Sequence, residues 1–326
     1  MWALSKVRNG ALVLGLLMAG CGRGSSSRAI TPQESRAASQ LFAQYETVFY
    51  ARADLISRTG AYGPVSQRDA NALRVPHAFL LASLETVGKQ ASAEILRSSA
   101  AVLVGAGDFR PPSGLGSVRS SFCYVLVLSP EGLVDLGSYF TAAPLVLEKG
   151  VAAWGWSARL GEFGERNARP SKLYATQISR DYLVISNDLD GLHALALGLH
   201  AAKADRTELN RIRGWGSLSE LKVWGYRRYR HTGVADPDAA GMVDVTPGNE
   251  ALIFSVDVGK RAASLRLLGA AGDNHTPQKW NAVALLPRFH MIGPGIWEAN
   301  IPLSGDDRTM ENLFGVMVLM GFGIYL

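Results

Sequence analysis

The chain predicts an α+β fold, with an N-terminal helical segment followed by two antiparallel-sheet-plus-helix halves whose element order suggests a duplication. Three observations predict it. Apolar residues recur at three- and four-residue steps from Leu41 to Ile56, the spacing of one helix face. Beyond Ser121 the pattern changes to short Val-, Leu-, Ile- and aromatic-rich runs separated by turn residues, the signature of strands. An order of four strands and then a helical or apolar segment also occurs twice. With 326 residues, 48% hydrophobic and 19% charged, the composition is globular and excludes a disordered or collagen-like polymer.

Taken in order, the first element is a helix opening at Thr31-Pro32-Gln33-Glu34. Thr31 is placed to cap it, Pro32 occupies the first turn where its missing N–H costs nothing, and Glu34 completes a capping box. The apolar stripe Leu41, Phe42, Tyr45, Val48, Phe49, Leu55 and Ile56 carries this helix to about Ser57, to be covered by the body of the protein or by a partner helix. A second capping box at Ser66–Asp69 opens a short helix that Pro76 ends, closing the helical segment 31–75. The first half, 76–203, reads as a strand at Ala78–Val87, a helix at Lys89–Ser99 and a turn-rich loop at Gly105–Gly116. Strands follow at Phe122–Leu128, Val151–Ser157, Leu173–Ile178 and Tyr182–Ser186, and Asn187-Asp188-Leu189-Asp190 opens a helix to about Ala202. The second half, 204–326, reads as strands at Leu252–Val258, Ser264–Leu268, Asn281–Leu286 and Ile296–Ile301, then Ser304–Asp307 and a final apolar run.

Ahead of all this lies a different kind of segment. Lys6 and Arg8 precede an apolar run from Ala11 to Ala19, and the small pair Ala19-Gly20 precedes Cys21. That order is an export signal. Its end, Leu17-Met18-Ala19-Gly20-Cys21, resembles the lipobox of bacterial lipoproteins. The resemblance implies that residues 1–20 are removed and that Cys21 is diacylated, with chains such as palmitate, to become the new N-terminus. Residues 21–30, rich in Gly and Ser, are then a flexible tether from a membrane surface. Gly22 in place of Asp implies, by the same resemblance, the periplasmic face of the outer membrane rather than the inner membrane. The only other long apolar run, Leu313–Leu326, is shorter than the roughly 20 residues of a spanning helix. It reads as a closing core element or as a second membrane contact.

Few residues carry recognisable chemistry. Two cysteines exist, and once Cys21 holds lipid, Cys123 has no intramolecular partner; in an apolar run it reads as a small buried hydrophobe. The six histidines are scattered, and His193 and His200 on one helix stand about 10 Å apart along its axis, too far to share a metal. No metal or other cofactor is expected. Asn187–Gly191 has the alternating oxygens of a calcium loop but lacks its distal Glu, so Asp188 and Asp190 read as helix-start residues. Gly105-Ala106-Gly107 starts like a dinucleotide loop, but Arg110 and Pro111-Pro112 stand where a glycine and a helix are required. Ser219-Glu220-Leu221-Lys222 and His231-Thr232-Gly233 resemble motifs of penicillin-binding proteins and serine β-lactamases, yet the two motifs lie far too close together.

One stretch stands out by charge. Between Lys203 and His231 lie eight Lys or Arg against three acids, whereas the rest of the chain from Cys21 onward is net −2. Trp215, Trp224, Tyr226 and Tyr229 interleave with these cations. Arg211, Arg213, Lys222, Trp224, Arg227, Arg228 and Arg230 are therefore the candidate contacts for an anionic lipid or glycan surface. The competing reading is a solvated connecting helix whose aromatics pack inward. From Cys21 onward the formal charge is only +3, so no nucleic-acid partner is expected. The chain thus reads as a lipid-anchored cell-envelope protein that binds or assembles at a membrane surface rather than catalysing a reaction. The alternative is an envelope hydrolase whose catalytic groups meet only in space. Protein partners and oligomeric state leave no mark in the sequence.

Overall fold

In the computed structural model, the residues described are 29–53, 89–109, 119–132, 134–140, 142–158, 171–201, 207–228, 249–257, 262–269 and 288–302. Helix α1 (Pro32–Gln44) is followed at once by strand β1 (Thr47–Arg52), and helix α2 (Lys89–Arg97) by β2 (Ser99–Phe109) and β3 (Arg119–Leu128). A 3-10 turn at Leu136–Tyr139 leads to β4 (Leu145–Val146), β5 (Ala152–Ala158), β6 (Ser171–Ile178), β7 (Tyr182–Ser186) and helix α3 (Leu189–His200). Two single-turn helices, α4 (Thr207–Asn210) and α5 (Trp215–Leu218), precede β8 (Val223–Arg228). Strands β9 (Asn249–Asp257), β10 (Ala262–Gly269), β11 (His290–Gly293) and β12 (Ile296–Pro302) complete the described chain.

All twelve strands form one antiparallel sheet in the order β11-β12-β10-β9-β8-β1-β2-β3-β7-β6-β5-β4. Side chains alternate across it with period two, so the strands between its two edges serve two apolar layers. Val48, Tyr50, Leu103, Val125, Val184 and Trp224 face α1 and α3, whose Leu41, Phe42, Leu192, Leu195 and Leu199 cover them. Phe49, Val102, Val104, Tyr124, Leu126, Leu183 and Phe254 face the other way, toward Ile95 of α2 and Leu136 of the 3-10 turn. A sheet buried on both faces explains why its strands read as nearly continuous apolar runs.

The joint between the N-terminal and C-terminal strands is the β1–β8 pair, with Phe49 opposite Gly225 and Tyr50 opposite Trp224. A Cβ on Gly225 would stand 2.7 Å from the Phe49 ring, so only glycine lets that ring lie flat across the joint.

Several expectations hold. The capping box is formed: the Thr31 side chain accepts from the Glu34 N–H at 3.2 Å, and the Thr31 N–H donates to the Glu34 carboxylate at 2.6 Å. α2, β3, β5, β6, β7, α3, β9, β10 and β12 fall where the sequence places them, within a few residues.

Others are corrected. The first helix stops at Gln44 instead of running to Ser57, because Thr47-Val48-Phe49-Tyr50 is β-branched and aromatic and alternates between the two cores as β1. Residues 105–109, expected in a loop, extend β2. Gly105 is there for close approach, since a Cβ would meet the Tyr45 ring at 2.5 Å. The strands of both expected halves join one continuous sheet instead of two, and a strand from the expected helical segment lies at its centre. The expectations at residues 1–28, 66–76, 78–87, 281–286 and 304–326 lie outside the described residues.

Candidate anionic-surface site

The basic stretch is built on a short apolar scaffold. Leu209 of α4, Ile212 in the following turn and Leu218 of α5 are buried in the helix-side core, which pins the turn that carries Arg211 and Arg213. Both arginines are exposed on that turn. Backbone bonds tie the stretch to the N-terminal elements: the Ile30 N–H donates to the Ser219 carbonyl at 3.0 Å, the Arg52 N–H to the Lys222 carbonyl at 3.0 Å, and the Arg228 N–H to the Glu46 carbonyl at 2.8 Å.

The aromatic residues have another task. Trp224 is 0% exposed, which corrects its reading as a surface contact. Its indole stacks on Phe42 (centroids 6.1 Å apart) and on Tyr50 (5.4 Å), while Trp215 meets it edge-on at 5.6 Å. Phe42 also meets Tyr226 edge-on at 5.5 Å. These rings glue α1 and α5 to the β1–β8 joint, each pair adding about 0.5–1.5 kcal/mol beyond burial. Trp215, Trp224 and Tyr226 thus pack inward, but from a strand and a single-turn helix instead of one connecting helix, and Tyr229 lies outside the described residues.

Among the remaining candidates, position along β8 decides the face. Arg228 follows Tyr226 on the helix-bearing side, and Arg227, opposite Thr47 and Leu252, lies on the other. Tyr226 reports its surroundings: burial raises its hydroxyl pKa, Arg228 and Arg213 oppose that rise, and Glu250 adds to it. Arg213 and Glu250 approach to 3.6 Å with both side chains about half exposed, a pair of little energetic consequence. Structure therefore gathers Arg213 and Arg228 around Tyr226, keeps Arg211 on the adjoining turn, sends Arg227 to the far face, and sets Lys222 half-buried at the start of β8. Arg230 lies outside the described residues. Glu250, an acid at this corner that sequence reading missed, arrives through the pairing of β9 with β8, which no local signal encodes.

A second polar cluster sits under the N-terminus of α3. Cys123, Tyr45 and Ser186 meet there, and Asp188 caps the helix by accepting from the Asp190 and Gly191 N–H groups at 3.3 and 3.2 Å. The Ser186 hydroxyl donates to the Phe122 carbonyl at 2.7 Å and accepts from the Asp188 N–H at 3.0 Å. The Tyr45 hydroxyl lies against Cys123 and Ser186 without a well-aligned hydrogen bond. A thiol, two hydroxyls and a carboxylate have the composition of a nucleophilic site, but Cys123 is fully buried and its thiol is pushed up to about 12 by desolvation. Such a thiol is neutral and inert at physiological pH. Asp188 and Asp190 behave as the helix-start residues expected of them. His193 is half-buried and His200 exposed on α3, and among the described residues no three His, Cys, Asp or Glu side chains gather to hold a metal ion. Among the same residues no helix is long and apolar enough to cross a membrane.

No family model matches the chain, and no curated protein does. The chain is similar to two crystal forms of TP0453. Form III superposes with a TM-score of 0.40 at 10% identity, covering 83% of this chain and 97% of that one. Form I superposes with a TM-score of 0.40 at 9% identity, covering 89% and 98%. At such scores the likeness carries no argument about function.

Proposed function

We propose that this is a lipid-anchored cell-envelope protein, held through Cys21 at the periplasmic face of the outer membrane, which binds anionic lipid headgroups or acidic glycans and performs no catalysis of its own. One observation supports the binding reading above others: Arg211 and Arg213 stand exposed on a turn whose flanking Leu209, Ile212 and Leu218 are buried, so the cations are presented from a fixed backbone. Arg228 joins them beside Tyr226, and Lys222 stands half-buried just before the same strand. Trp224 is excluded from contact and instead holds the scaffold.

The test uses the full chain in a neutral detergent, applied to beads coated with phosphatidylglycerol, phosphatidylcholine or dextran sulfate. Retention on the two anionic supports should fall with added salt, and Arg211→Gln with Arg213→Gln should weaken it about fivefold per charge removed. The thermal midpoint should stay near the parent, since exposed arginines contribute little to folding. Trp224→Ala should do the opposite, lowering stability by about 3–5 kcal/mol. Retention of the double variant equal to that of the parent on both anionic supports would remove this corner from the binding surface.

A further inference from the structure

Among the described residues, large apolar side chains are exposed at two places, and both are edges of the sheet: Leu145 and Val146 on β4, Met291 and Ile292 on β11. The two edges differ in charge. Beside β4, Glu148 adjoins Lys149 and the local charge cancels. Beside β11, Arg288 is exposed two residues before His290, and Glu298, which pairs with His290 across the hairpin, is already engaged by Arg266 at 2.7 Å and Ser264 at 3.3 Å. Arg288 therefore projects its positive charge next to an apolar pair, Met291 at 53% and Ile292 at 47% exposure.

Backbone geometry explains the exposure. His290 pairs with Glu298, Met291 with Trp297 and Gly293 with Ile296, so Ile292 is the extra residue of a β-bulge. A bulge turns its side chain out of the sheet and disrupts the edge for pairing with another strand. The tip beyond it, Gly293-Pro294-Gly295, is fixed by a left-handed Gly295 (φ 65°) and by the Gly269 N–H donating to the Gly295 carbonyl at 2.8 Å. An edge unfit for strand addition, with an outward apolar pair and an adjoining cation, matches the two components of an interfacial membrane contact: apolar area for the acyl boundary and positive charge for phosphate.

We infer that the β11–β12 hairpin is a bilayer-contact element that seats Met291 and Ile292 in an anionic phospholipid surface beside Arg288. The inference rests on the anchored reading, because a tether at Cys21 keeps the hairpin near such a surface.

Ile292→Cys in the full chain, labelled with an environment-sensitive maleimide fluorophore, tests it. Cys123 is buried with its thiol pushed up to about 12 and should not react, and an acylated Cys21 has no free thiol. Labelling of the parent chain would therefore signal failure of the anchor separately from the hairpin. With phosphatidylglycerol vesicles, the label at position 292 should brighten severalfold and be quenched by spin-labelled acyl chains, while a label at Ala194→Cys, exposed on α3, should not respond. Arg288→Gln should weaken the response about fivefold at low salt. If the chain proves unanchored, the response should persist at higher vesicle concentration. A silent label at 292 with vesicles in excess overturns the inference, as does a response that tracks protein concentration instead of lipid. Equal brightening on phosphatidylcholine overturns the role of Arg288.

Discussion

Cys123 and Tyr45 show how one residue's surroundings decide its chemistry. Desolvation, opposed by Ser186 and Tyr45 and reinforced by Asp188, pushes the Cys123 thiol from its ordinary 9.0 to about 12, and burial, with Cys123 and Asp188 nearby, raises the Tyr45 hydroxyl well above its ordinary value. Tyr182, mainly by burial, is likewise pushed to about 12. These groups hold their protons in the folded state, whereas the unfolded chain releases them at ordinary values. Unfolded chains then bind fewer protons than folded ones, so stability falls with rising pH. Their contribution should be complete below about pH 9 and lost progressively toward pH 12, read as a falling urea midpoint. Cys123→Ala should remove the earliest part of that decline; a midpoint flat from pH 8.5 to 11 would contradict the burial assigned to these groups. Glu298 acts at the other end: desolvation raises its pKa, but Arg266, Ser264 and His290 outweigh this and lower it. Its contribution is present above the ordinary 4.5 and lost as pH falls below it.

Individual elements owe their limits to caps that are visible in the sequence. Thr31, Pro32 and Glu34 start α1 where the capping-box pattern puts them, and Asp188 does the same for α3. Thr31→Ala should cost about 1 kcal/mol in equilibrium unfolding, and a cost near zero would mean that packing of Leu41 and Phe42 alone positions the helix. What was legible was local: caps, β-type runs such as Tyr182–Ser186, and the apolar face of α1. The misreadings share a cause. Tyr45, Val48 and Phe49 continue a helical spacing by coincidence, since the change to strand after Gln44 keeps residues of both periods apolar on a sheet buried on both faces. β8 escaped notice because Gly225 and two arginines break its pattern, yet Gly225 is required by the Phe49 ring. For the candidate site, charge density singled out the arginines of the proposed surface, but Trp224 was misread because composition does not distinguish an aromatic at a surface from one that anchors it.

At the scale of the whole molecule, long-range pairing was the illegible part. β1 and β8 are separated by residues 53–222, more than half of the chain, and their pairing merges both sets of strands into one sheet. Nothing in either strand names the other; only the fit of Phe49 over Gly225 and of Tyr50 on Trp224 specifies the joint. This sheet carries cations at one corner and an apolar pair beside Arg288 at an edge, and the proposed anchor turns both into membrane-proximal surfaces by raising their effective concentration there. The most direct measurement of that central claim is metabolic labelling with alkyne-palmitate of cells making either the full chain or its Cys21→Ser variant. Acylation at Cys21 predicts label on the parent and none on the variant. An unlabelled parent, or equal label on both, would contradict it.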